Sequence, residues 1–195
     1  MKIKILMALV LAAAAAGCAK QPNPEEISAD KGFSEALAEL QKAAAPADRF
    51  YALNAAEVTA LDSGNIDAAR AYAAEHAAML PKFAKNWNYG NAVQDINQTL
   101  GRIAIREKNF EAAGAFLIKS AQHTGSPQLN SFGPNFQLAK ELLQAGQPEP
   151  VLKYLELCGK FWKMDRGSLA RWTQAVKDGR IPDFNDHYTG GYEKK

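Results

Sequence analysis

Apolar residues recur with two different rhythms along the 195-residue chain. Ile5 to Ala16 is an unbroken apolar run behind Lys2 and Lys4. At helical rise its length comes to only ~18 Å, short of the ~30 Å hydrocarbon core of a bilayer, so it has the size of an export signal's apolar region and not of a membrane span. Residues 19–31 are polar, with Pro22, Pro24, Glu25, Glu26 and Asp30, and with too little apolar surface to bury they are expected to form a flexible tether over 18–31. From residue 32 the rhythm becomes helical. Val93, Ile96, Leu100 and Ile103 form one stripe, Phe110, Ala113, Leu117 and Ala121 another, and Val151, Leu155, Cys158 and Trp162 a third. No comparable alternating run predicts a strand. Asp62-Ser63-Gly64 and Ala145-Gly146 read as helix ends whose glycines can take the left-handed cap conformation, and Pro81, Pro148 and Pro182 add further stops. The pattern predicts one all-α domain over 32–180, large enough for a sizeable core, with a tail over 181–195. A last short helix, Leu169 to Val176, is expected to close the domain with Trp172 docked beneath it.

At the N-terminus, Ala15-Ala16-Gly17-Cys18 after the apolar run resembles a bacterial lipoprotein signal. The resemblance implies removal of residues 1–17, a diacylglycerol on the Cys18 thiol, an acylated (palmitate-type) Cys18 amine, and stable anchoring to a membrane. Cleavage without lipid is the alternative, since Ala15 stands where such signals usually carry leucine. Ala19, in place of aspartate, implies by enterobacterial sorting rules an address at the outer membrane, facing the periplasm. Removing Lys2 and Lys4 from the 23 basic and 21 acidic residues leaves no net charge, which argues against nucleic acid as a partner. With Cys18 lipidated, Cys158 has no partner for a disulfide, and its position on an apolar stripe predicts a buried, unreactive thiol.

The helical segments repeat. Leu100-Gly101 precedes Lys108-Asn109-Phe110-Glu111-Ala112-Ala113 as Leu138-Ala139 precedes Gly146-Gln147-Pro148-Glu149-Pro150-Val151. An earlier copy runs from Ala56-Glu57 to Gly64-Asn65-Ile66-Asp67-Ala68-Ala69, which gives spacings of 44 and 38 residues. Small residues (Gly101 and Ala139 on the first helix, Ala69 and Ala113 on the second) mark close helix crossings. Across 47–163 this pattern resembles the tetratricopeptide repeat, which implies antiparallel helix pairs stacked as a short solenoid with a concave binding face. Glu57 stands where that family has a small residue, and Val151 replaces another. Ser126-Pro127-Gln128-Leu129-Asn130-Ser131-Phe132-Gly133-Pro134-Asn135 is similar to a segment found in a group of bacterial tetratricopeptide-like lipoproteins, and implies a shared fold without an activity.

Catalytic and metal chemistry find little purchase. His76, His123 and His187 lack metal-ligand spacing, so neither a metal nor another cofactor is expected. The irregular stretch from His123 to Pro134 either packs as a plug or meets a ligand, with His123, Ser126, Asn130 and Ser131 as its candidates. A serine hydrolase built on them would lack both the Gly-x-Ser-x-Gly elbow and an acid to orient His123. The second candidate surface is amide-rich: Asn91, Gln94, Asn97 and Gln98 on one helix, with Trp87 and Tyr89 at its entry, could satisfy an extended peptide backbone, or could equally be a solvated polar face. The expectation is a non-enzymatic, membrane-anchored scaffold of the cell envelope that holds another envelope protein or a segment of one, its oligomeric state left open. An envelope enzyme or small-ligand binder using the 123–134 loop is the alternative.

Overall fold

In a computed structural model that describes residues 24–187, the three apolar stripes lie along the inward faces of α4 (Tyr89–Arg106), α5 (Phe110–Ser120) and α8 (Pro148–Cys158), with Ala121 and Trp162 just past the ends of the last two. The other helices are α1 (Pro24–Lys42), α2 (Pro46–Asp62), α3 (Ile66–Met79), α6 (Pro127–Phe132), α7 (Gln137–Gln144) and α9 (Ser168–Lys177), with a 3₁₀ turn at Leu80–Phe83. Among the described residues there is no strand, and no helix is long and apolar enough to cross a membrane. The signal segment, Cys18 and residues 188–195 lie outside the described residues.

Adjacent helices pack as pairs, α2 with α3, α4 with α5 and α7 with α8, and the pairs stack in chain order into an all-α, solenoid-like array. In the first two pairs α2 touches α4 whereas α3 does not reach α5, so the array is tighter on its α2/α4 side. Arg102 ties the first helices of all three pairs, reaching Asp62 on α2 and Glu141 on α7, each at 3.0 Å.

The repeat register reappears in the backbone. At the turn of each pair one residue has positive φ, Gly64 at 80°, Lys108 at 59° and Gly146 at 73°. The next residue then donates its N–H back across the helix end, from Asn65 to Ala60 O, Asn109 to Ala104 O and Gln147 to Leu142 O, at 2.8 to 2.9 Å. This is a helix end closed by a left-handed residue, and the three occurrences keep the 44- and 38-residue spacing of the sequence repeat. Lys108 is the one lysine held there against the steric preference of an L side chain. Lys108→Gly is therefore expected to stabilise the protein by about 0.5 to 1 kcal/mol, readable as a rise in denaturation midpoint with unchanged slope.

Two boundaries differ from the sequence expectation. Residues 24–31, assigned to the tether, belong to α1: Ala36 and Leu40 are buried, and once that amphipathic part is nucleated against α2, adding residues toward Pro24 costs little. The segment assigned to a C-terminal tail is docked over 181–187. Phe184 stacks on Phe136 with centroids 4.9 Å apart, and the Trp172 indole N–H donates to Asp186 at 3.0 Å. Phe136, Tyr154, Trp162, Trp172 and Phe184 meet within the main hydrophobic cluster of the described residues, on the side closed by α9. Cys158 is fully buried there, and burial pushes its thiol far above the ordinary range, so it is not a nucleophile in the folded state.

Candidate functional site

The polar face of α4 meets three different fates. Its two glutamines turn inward. Gln98 Nε2 donates to the carbonyl of Asn135 at 3.1 Å, and its Oε1 accepts the N–H of Leu138 at 3.3 Å. Gln94 Oε1 accepts the N–H of Asn135 at 3.0 Å, and Tyr154 adds its hydroxyl to the same Asn135 carbonyl at 2.7 Å. The amides thus satisfy an extended backbone, and that backbone is the chain's own strap, Gly133 to Gln137. The strap lies close because Gly133 has φ 88° and no Cβ, leaving room for the Trp162 ring. Asn97 turns back on its own helix and donates to Val93 O at 2.7 Å.

The N-terminal part of the face remains open. Asn88 precedes α4 at its N-cap position without a side-chain capping bond, Asn91 donates to Asn88 Oδ1 at 2.6 Å, and Asn91 Oδ1 accepts the Ser126 hydroxyl at 2.5 Å. Here α2, α4 and α6 enclose an open cavity of about 430 Å³. Tyr51 and Asn54, one helical turn apart on α2, form one wall, Asn91, Gln94 and Asp95 the second, and Gln128 and Leu129 the third. Trp87 stacks on Tyr51 at 5.9 Å and is the more exposed of the two, at 54 % against 37 %. The Asn86 amide holds the Tyr51 hydroxyl at 2.9 Å. Tyr89 is half-buried and lies outside the cavity wall.

Behind the cavity lies a buried acid–imidazole group. Glu57 Oε1 and His76 Nδ1 face each other at 3.3 Å with both side chains fully buried, while Glu57 Oε2 and His76 Nε2 have no hydrogen-bond partner. The glutamate that departs from the repeat pattern is therefore accommodated by a histidine on the paired helix. Burial holds the Glu57 carboxyl well above the usual range and pushes His76 down to about 4. Asp95 is raised to about 7, first by burial and then by the neighbouring Glu57, against the Asn54 amide that donates to it. Near neutrality His76 is uncharged and Asp95 is poised between its two forms.

These shifts give stability a pH dependence of known sign. His76 binds its proton less readily folded than unfolded, so its contribution is lost as pH falls from 6.5 toward 4 and is constant above 6.5. Asp95 holds its proton more tightly in the folded state, so its contribution declines as pH rises from 3.8 through about 7, and the upward shift of Glu57 acts in the same direction. Between pH 6.5 and 8 the protein is expected to lose stability, by at most about 1.4 kcal/mol per pH unit for each proton released. Asp95→Asn should flatten that decline, as followed by denaturant midpoints across the window.

In the 123–134 stretch His123 and Ser126 are engaged in packing, while Gln128 and Leu129 line the cavity. His123 Nε2 donates to Ser120 O at 3.0 Å and Nδ1 accepts the Gly125 N–H at 2.9 Å, so both ring nitrogens serve the backbone, and burial lowers its pKa. Ser126 caps α6 by accepting the Leu129 N–H at 3.0 Å. Asn130 and Ser131 are exposed on α6. Among the described residues no group of three or more His, Cys, Asp or Glu side chains is placed to hold a metal ion. Asp95, Asn54 and Tyr51 were missed in the sequence because each looks ordinary on its own helix, although Asp95 sits in the middle of the amide-rich face. A larger cavity, about 660 Å³, lies between the strap and 181–187, and its wall runs to His187 where the description ends. Comparison with protein-family models, with curated proteins and with solved structures gives no match to this chain.

Proposed function

We propose that this protein is a lipid-anchored interaction scaffold of the bacterial cell envelope, of tetratricopeptide-like type, fixed to the outer membrane through Cys18 and binding a segment of another envelope protein on its α2/α4 side. The observation that supports the reading is the exposed Tyr51–Trp87 pair at the mouth of an amide-walled cavity, on a face whose other amides are consumed by the strap. Aromatic side chains over a concave, partly polar floor are the usual hot spots of protein interfaces. The lipid supplies the address and the helix pairs supply a rigid platform.

A photo-crosslinking amino acid at position 87, compared in intact cells with one at the exposed Glu111 on α5, tests the binding face. A discrete protein adduct is expected from position 87 and not from 111. Equal adducts, or none at 87, would remove the reading. In the same cells Cys18→Ser should release the mature domain from the membrane fraction or leave uncleaved precursor, and wild-type protein unlabelled by a tagged fatty acid would remove the anchor.

A further inference from the structure

The α2/α4/α6 cavity carries a pattern of charge that selects among ligands. None of its lining residues is a lysine or arginine, so a carboxylate or phosphate would enter without a countercharge. The single ionisable acid in the wall is Asp95, whose one hydrogen-bond donor is the neutral amide of Asn54, and a second carboxyl, Glu57, acts on it from behind. Three arginines of α2 and α4 are engaged elsewhere: Arg49 with Glu75, Arg102 with Asp62 and Glu141, and Arg106 with the carbonyl of Leu61. A carboxylate taken out of water with no cation beside it is costly, and a positive group supplied from outside removes that cost.

The other walls fit the rest of such a ligand. Tyr51 and Trp87 offer aromatic surface to an apolar stem or to a cation over the ring face. Gln94 is 3 % exposed, its Oε1 is fixed by the Asn135 N–H, and its Nε2 is a buried donor without a hydrogen-bond partner. The volume is near the lower end of the ~300 to 1,000 Å³ range of ligand pockets, room for one side chain and its adjoining backbone.

We propose that this cavity receives the cationic side chain of a lysine or arginine in an extended partner segment, with Asp95 pairing the charge and Tyr51 and Trp87 covering the stem. The proposal rests on the interaction-scaffold reading and names the chemistry of its partner.

The test is a titration of the isotope-labelled protein, followed by NMR, with acetyl-Ala-Lys-Ala-amide, with its uncharged norleucine counterpart, and with triacetylchitotriose. The lysine peptide is expected to shift the side-chain amides of Asn54 and Gln94 and the Trp87 indole, and to bind about tenfold tighter than the norleucine peptide. Asp95→Asn, nearly isosteric, should abolish that difference and leave norleucine binding unchanged, and Trp87→Ala should weaken both peptides. Equal binding of the two peptides, no shifts with lysine, or shifts produced only by the saccharide would overturn the proposal. An adduct at position 87 that persists undiminished in the Asp95→Asn protein would overturn it while leaving the scaffold reading in place.

Discussion

Gly101→Leu is expected to lower the stability of the folded domain by about 1 to 3 kcal/mol, toward the upper end of what overpacking a core costs. Gly101 lies at the crossing of α4 with both α5 and α7. A Cβ there would overlap the Leu138 side chain and sit 3.2 Å from Phe116 Cβ, and the remaining leucine carbons have nowhere to go without separating the second helix pair from the third. Leu138 is itself fully buried, so it cannot swing into solvent to relieve the overlap. For a domain of this size each kcal/mol corresponds to roughly 2 to 4 °C in melting temperature, so the effect is readable by thermal unfolding. Leu138→Ala in the same chain should recover part of the loss, since it clears the atoms that clash. A melting curve unchanged by Gly101→Leu would mean that α4 and α7 do not cross at this residue.

Gln98→Leu should cost about 1 to 3 kcal/mol, despite conserving volume and adding apolar surface to a buried position. The carbonyl of Asn135 keeps the Tyr154 hydroxyl when Gln98 is gone, but the Leu138 N–H loses the acceptor it has in Gln98 Oε1 at the first turn of α7. A buried backbone donor without a partner accounts for the cost. Gln94→Leu removes the acceptor of the part-buried Asn135 N–H at a smaller cost, and the double variant should release the strap, seen as loss of hydrogen-exchange protection at Asn135 and Leu138. Asn97→Ala is the control: its side chain bonds only within its own helix, and a change within about 0.5 kcal/mol is expected. If all three substitutions behave alike, the division of the α4 face into inward and outward amides is wrong.

The same face shows how far a sequence can be read. Its helical phase, its amide content and the aromatics at its entry are properties of nearby residues and were visible in the chain. Which amides remain open to a partner is not, because Gln94 and Gln98 are claimed by backbone groups about forty positions away. Gln94 and Gln98, expected to meet a partner's backbone, instead meet that of the chain's own strap. Glu57 was visible as an irregularity of the repeat, but its meaning depends on His76 one helix later and on Asp95 two helices later.

What the sequence determined by itself is local or periodic: the all-α class, the stripes that lie on the inward faces, and the helix ends at Gly64 and Gly146, where a backbone bond only five residues long needs a left-handed residue at one position. Helix period and cap chemistry act within a turn or two, so they are legible in one dimension. The tertiary structure alone decided that α1 extends back to Pro24, that 181–187 dock through Phe184, and that Tyr51, Trp87, Asn54 and Asp95 share one cavity. Each of these depends on apolar surface, hydrogen-bond partners and desolvation supplied by distant segments, and burial is a property of the assembled fold that no single stretch of chain carries.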